Sequence, residues 1–121
     1  IYSDSIVTHD CSFYSEGVWN GDGWDPDSST NCTIFGCTFN TGDDSIAIKS
    51  GKNPEGNEIS RPSEHIRILT VNVPWDTGLP LAARCREELT TCRFGTANNQ
   101  QFRHGIEIKG TKKRGGYVKK L

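Results

Sequence analysis

Short runs in which apolar and polar residues alternate recur along the chain, each closed by Gly, Asn, Asp or Ser. Ile6-Val7-Thr8-His9-Asp10-Cys11-Ser12-Phe13 and Cys32-Thr33-Ile34-Phe35-Gly36-Cys37-Thr38-Phe39 are two of them. A period of two marks a strand with one buried face, and over most of the chain no 3.6-residue stripe competes with it. The two runs are copies: Cys11 maps to Cys37 and Phe13 to Phe39, each 26 residues on (37 − 11 and 39 − 13). The Cys-x-Phe tail occurs a third time at Cys92-Arg93-Phe94. A second phase lies between these copies. Asp22-Gly23-Trp24-Asp25-Pro26-Asp27-Ser28 overlays Asp44-Ser45-Ile46-Ala47-Ile48-Lys49-Ser50 at 22 residues (44 − 22), and His104 to Gly110 has the same alternating shape.

Short strands recurring every 20-odd residues, with no hairpin dipeptide between them, predict coils that stack in parallel rather than fold back. The expected fold is all-β: a right-handed, single-stranded parallel β-helix. Residues 1–121 form one partial domain of about four to five coils, read as incomplete and uncapped, a piece of something longer. One stretch departs from the pattern. Leu79 to Leu89 is rich in Ala, Arg, Glu and Leu and suits a short helix, within an atypical segment spanning 69–91. The polar loop from Gly51 to Pro62 reads either as a wall at one end of a cleft or as a solvated turn.

Composition narrows the classes. Lys+Arg 14 against Asp+Glu 15 leaves a net charge of −1, so no basic field calls for nucleic acid. No apolar run approaches the length of about 20 residues that a membrane span needs. The 33% of hydrophobic residues, 13 Gly and no Met suit a turn-rich β protein better than a helical bundle. Cys11, Cys32, Cys37, Cys85 and Cys92 are spaced unlike zinc ligands, and His65 and His104 are remote from them. They are read as buried or stacked thiols, with no metal and no cofactor expected.

Acidic residues gather at Asp22, Asp25 and Asp27, and again at Asp43 and Asp44. Asp25 and Asp27 are read as turn chemistry, since Asp is common where strands end; their spacing also fails the calcium-loop pattern. The 22-residue overlay treats the other three differently. It puts Asp22 and Asp44 at one place on adjacent coils, about 4.8 Å apart in the stacking direction, with Asp43 beside them. Carboxylates that close push at least one pKa upward. Such a cluster suits a reaction needing one protonated and one ionised carboxyl group, as glycoside hydrolysis does.

Asn20-Gly21-Asp22-Gly23, Gly42-Asp43-Asp44-Ser45-Ile46-Ala47-Ile48-Lys49-Ser50-Gly51, Gly105-Ile106-Glu107-Ile108-Lys109 and Arg114-Gly115-Gly116-Tyr117-Val118 resemble the polygalacturonases of glycoside hydrolase family 28. The likeness covers residues 1 to about 68 and 92 to 121, and is closest to the bacterial and plant-like branch that includes exo-acting enzymes. It implies metal-free hydrolysis, with inversion, of α-1,4-linked galacturonic acid in pectin. It also implies a partner that is polygalacturonan or a pectic oligosaccharide, a monomer, and a secreted or periplasmic location. By that match Asp43 is the general acid, Asp22 and Asp44 activate water, and Lys109 pairs with a substrate carboxylate beside a weaker contact from Asn20.

Three positions depart from the family pattern. Gly21 stands at the centre of Asn-Thr-Asp. Glu107 replaces the Arg of Arg-Ile-Lys, putting a negative charge where an anionic sugar binds. The Gly-His-Gly that supplies a histidine at the cleavage point is absent. Reading residues 74–90 with each codon started on its predecessor's third base admits Gly-His-Gly-Leu-Thr-Ile-Gly-Ser-Glu-Met-Ser-Gly-Gly-Val when the wobble bases are chosen freely. The atypical segment is therefore read as a frameshifted coil, and the chain as written is expected to be inactive. A non-catalytic β-helix module that binds acidic polysaccharide is the alternative. A structural solenoid has no use for the Asp cluster, and a pectate lyase calls for a calcium-binding set and an Arg base.

Overall fold

The structure is a computed structural model that describes residues 1–51 and 54–73 and, beyond them, the backbone of the strands named below. Three parallel sheets run along a common stack. The first joins β1 (Val7–His9), β3 (Thr33–Phe35), β6 (Ile66–Leu69) and β10 (Cys92–Phe94). The second joins β2 (Ser12–Tyr14), β4 (Thr38–Asn40), β7 (Val71–Asn72) and β11 (Ala97–Asn98). The third joins β5 (Ile46–Ile48), β8 (Leu81–Ala83) and β12 (Ile106–Ile108), and a bridge from Trp24 to Ile46 extends it into the first coil. A two-stranded sheet of β9 (Glu88–Leu89) and β13 (Tyr117–Val118) completes the set. Among the described residues every pairing is parallel and links successive coils, which makes the chain a parallel β-helix.

Register follows the sequence repeat. Val7 pairs with Thr33 and Phe13 with Phe39, both at the 26-residue offset, while Trp24 pairs with Ile46 and Asp27 with Lys49 at 22. The next coil is longer, with Thr33 opposite Arg67, because helix α1 (Glu55–Ile59) fills the connection after β5. Ser60 closes that helix in the left-handed conformation, its N–H bonded to Gly56 O at 2.8 Å.

Inward positions of successive coils form columns. Ile34 lies over Ile68, both almost fully buried, and Phe13 stacks on Phe39 at 4.7 Å with the rings 4° from parallel. Cys32, Cys37, Ile46, Ile48, Ile66, Val71 and Val73 complete the described core. Burial pushes the Cys32 and Cys37 thiols up, which keeps them as inert packing groups. Cys11, in register above Cys37, is exposed.

The corners repeat as faithfully as the strands. Asp10 (φ 52°), Gly36 (62°) and Thr70 (50°) occupy one place in three successive coils, and Ser5 (58°), Asn31 (54°) and His65 (55°) occupy another. A left-handed residue turns the chain sharply between two strands without breaking the rung, so its backbone still bonds to the neighbouring coil. Asp10 N reaches Phe35 O at 3.2 Å, and Gly36 N reaches Thr70 O at 3.0 Å.

Two expectations from the sequence are corrected. Leu81–Ala83 and Glu88–Leu89 are strands, not parts of a helix over 79–89; β8 sits between β5 and β12, where pairing on both edges overrides the local helical composition. Cys92-Arg93-Phe94 is not a third copy of the Cys11/Cys37 tail. Cys92 pairs with Ile66 and Phe94 with Ile68, which places it in the first sheet, on the Cys32–Ile34 column.

Candidate active site

The third sheet and its bridge into the first coil position the acidic residues. Gly23 N donates to Asp44 O at 3.0 Å and Trp24 N to Ser45 O at 3.1 Å, so Asp22 and Asp44 sit on adjacent coils at the 22-residue offset. Trp24 is pinned in turn by its indole N–H, which donates to Thr8 Oγ1 at 3.2 Å. Asp44 is nearly fully buried, at 1% exposure, whereas Asp22 and Asp43 are partly exposed.

Two close approaches make this geometry possible. A Cβ on Gly21 would lie 2.8 Å from Val18 O and 2.9 Å from Ser15 O, and one on Gly42 would press on the same two carbonyl groups. The turn at 15–18 therefore packs directly over the backbone that leads into Asp22 and Asp43. At Gly21 the turn leaves no room for a side chain. Asn20 sits exposed beside it, in the left-handed conformation (φ 54°). Within the next turn Asp43 Oδ1 accepts the N–H of Asp44 at 2.9 Å, and Asp43 O accepts the Thr41 hydroxyl at 2.8 Å. These bonds orient the Asp43 carboxyl from its own loop.

Sequence reasoning missed a further group. Lys49 Nζ lies 2.9 Å from Asp22 Oδ2 and also bonds Asp25 Oδ2. Burial is the main influence on Asp25 and pushes its carboxyl up to about 6, against the pull of Lys49 and with a further push from Asp22. Burial works against the Lys49 ammonium too, but its hydrogen bonds to Asp25 and Asp22 outweigh that and hold it above its ordinary value. The signal was present in the 22-residue overlay, which sets Asp27 over Lys49 and so puts Asp25 within reach of a lysine side chain. Asp27 does behave as turn chemistry: its Oδ1 accepts the Gly51 N–H at 2.7 Å.

The side chain of Glu107 and all of Lys109 lie outside the described residues, as do residues 74–80 and 84–87 of the segment read as a frameshifted coil. The backbone of Glu107 pairs with Ala82, which in turn pairs with Ala47, so position 107 stands two coils from β5 in the same sheet. Among the described residues no group of three His, Cys, Asp or Glu side chains is disposed to hold a metal ion. Between Asp22 and Asp25, the place a cation would take is filled by the Lys49 ammonium.

Residues 4–73 match the sequence profile of glycosyl hydrolases family 28. The chain is 35% identical over 104 residues to a probable polygalacturonase of Vitis vinifera, covering 84% of this chain and 21% of that protein. It is 29% identical over 115 residues to a polygalacturonase of Ralstonia solanacearum, covering 95% of this chain and again 21% of the relative. The chain thus spans about a fifth of the length of these curated relatives. The crystal structure of a hyperthermoactive exopolygalacturonase from Thermotoga maritima superposes with a TM-score of 0.74 at 28% identity, covering 98% of this chain and 27% of that one.

Proposed function

Since the chain belongs to glycosyl hydrolases family 28, we propose that it is the acid–base portion of an enzyme hydrolysing α-1,4-linked galacturonan with inversion. The observation that carries this reading is the register setting Asn20-Gly21-Asp22 against Gly42-Asp43-Asp44 on adjacent coils. Asp43 gives its proton to the glycosidic oxygen as the C1–O bond breaks. Asp22 and Asp44 take a proton from the water that attacks C1 from the opposite face. Inversion needs room for that water, a separation of about 6.5–9.5 Å between acid and base. Asn20 and Lys109 serve substrate binding, and Glu107 weakens it by opposing an anionic sugar. The substrate is polygalacturonan or a pectic oligosaccharide, met outside the cell or in the periplasm.

The test is made in an enzyme whose Gly-His-Gly coil is intact. Asp43→Asn should lower kcat by roughly 10²–10⁴-fold, with partial rescue on substrates bearing a good leaving group. The first product anomer seen by NMR should be β; an α product, or equal loss on all leaving groups, refutes the assignment. Glu107 and the missing histidine favour a second reading, a module that binds acidic polysaccharide without cleaving it. On that reading the chain as written should retain galacturonan in a pull-down, and a parent with the histidine coil restored should still release no sugar.

A further inference from the structure

Asp22, the group read above as a base, shares a cation with a neighbour that this reading leaves idle. Lys49 reaches from the second coil to Asp22 Oδ2 at 2.9 Å and to Asp25 Oδ2, both on the first coil. The three side chains are largely shielded, with exposures of 14% for Asp22, 28% for Asp25 and 25% for Lys49. Shielding matters because a pair held away from water interacts several times more strongly than one on the surface. Both carboxylates draw on this one ammonium, so within the trio they compete for it. Asp25 Oδ1, moreover, is buried and has no hydrogen-bond partner among the described residues. An ionised Asp25 is therefore poorly served on that side, and a proton there relieves it.

We propose that Lys49 and Asp25 are positioning residues for Asp22: the ammonium fixes the Asp22 carboxyl on its rung, and the charge on Asp25 decides how much of that ammonium Asp22 receives. The inference rests on the reading of Asp22 as a base. With Asp25 protonated, Lys49 serves Asp22 alone and keeps it ionised but weakly basic. With Asp25 ionised, the cation is shared and Asp22 becomes the stronger base. Burial places this handover at about 6 rather than in the usual carboxylate range, and among the described residues Lys49 and Asp22 are the charged groups facing Asp25.

The test follows the carboxyl carbons of Asp22 and Asp25 by ¹³C NMR through a pH titration of the 121-residue chain, with Asp25→Asn, Lys49→Gln and Lys49→Arg beside it. In the unsubstituted chain the Asp22 signal should show a second inflection at the pH where Asp25 titrates. Asp25→Asn should erase that inflection and leave Asp22's own, lower one in place, because Asp25 already carries its proton at that pH. Lys49→Gln should raise Asp22's own inflection by about one pH unit, a tenfold change in proton affinity, and Lys49→Arg should restore it. Should Lys49→Gln unfold the chain, Asp25→Asn, which removes a charge from a shielded site, decides the matter alone. A second Asp22 inflection that survives in Asp25→Asn, or that never appears in the unsubstituted chain, overturns the proposal. In an intact enzyme, Asp22→Asn separates the two readings: unchanged hydrolysis, with the coupling seen in the unsubstituted chain, removes the base assignment and leaves the network standing.

Discussion

Gly42→Ala probes the closest backbone approach near the acidic cluster. The added Cβ would fall onto Val18 O, 2.6 Å from Ser15 O and 2.9 Å from Val18 N, where ordinary contact begins at 3.4 Å. Relief needs the turn at 15–18 to retreat by more than the 0.8 Å (3.4 − 2.6) that Ser15 O alone requires, since Val18 O is nearer still. That turn is tied by Val18 N to Ser15 O at 3.0 Å, Gly21 N to Val18 O at 3.0 Å and Ser15 N to Asn40 O at 2.9 Å. Overpacking costs about 1–3 kcal/mol, and weakening one of these bonds adds about 1 kcal/mol, so a loss of about 2–4 kcal/mol is expected. Gly17→Ala is the control. Its Cβ meets nothing within 4 Å, but its φ of +74° makes any side chain strained, at about 1–2 kcal/mol. Urea unfolding followed by tryptophan fluorescence gives both values, provided the slope m is unchanged. In an intact enzyme the same shift, passed to the adjoining Asp43, should lower kcat by about 10²-fold. A Gly42→Ala chain with the midpoint of the unsubstituted one, or a Gly17→Ala chain less stable than the Gly42→Ala chain, refutes the reasoning.

Asp25 holds its proton to about 6 when folded, against an ordinary 3.8. A carboxyl that binds its proton more tightly in the folded state stabilises at low pH and loses that contribution as pH rises. Unfolding free energy should therefore fall between about pH 4 and 6, by at most about 3 kcal/mol, and Asp25→Asn should flatten the profile; a wild-type profile flat over that window counts against it. Thr70 is exposed and β-branched at φ 50°, so Thr70→Asn, which tolerates that conformation, should stabilise by about 0.5–1 kcal/mol in the same urea assay. Any destabilisation would show that the threonine has a role the corner does not explain. Genomic DNA across residues 66–95 should carry C as the third base of Asp76 and G as that of Thr77; other bases there end the frameshift account.

What could be read in advance was what repeats. The 26- and 22-residue offsets are visible because inward positions must be apolar in every coil, so Phe13 over Phe39 and Trp24 over Ile46 leave a trace in the letters. Cys92-Arg93-Phe94 misled because two sheets share the same apolar-polar-apolar spacing, and only the rung below, Ile66 to Ile68, tells them apart. Leu81–Ala83 misled because Ala and Leu are content in a helix, while a strand flanked on both edges is decided by its neighbours. The Lys49 network went unread for another reason. Its partners lie 27 and 24 residues away, and a flexible four-carbon stem joins positions that no backbone register pairs.

The rule that each rung bonds only to the next has a consequence for how such a chain is made. Paired residues are separated by as few as 22 positions (Trp24 to Ile46) and no more than 35 (Ile46 to Leu81). A nascent chain leaving the ribosome therefore never waits long for a partner, since each coil can close on the one already formed. Loop-closure entropy is met in equal small instalments instead of one long search. The growing end is at every moment an open sheet edge: a template for the following coil and, until that coil arrives, a place where a second nascent chain could pair instead. A change confined to one coil then leaves the pairing of the coils before it untouched. The coils up to residue 73, which hold Asp22, Asp43 and Lys49, pair with one another at offsets of 22 to 34 positions.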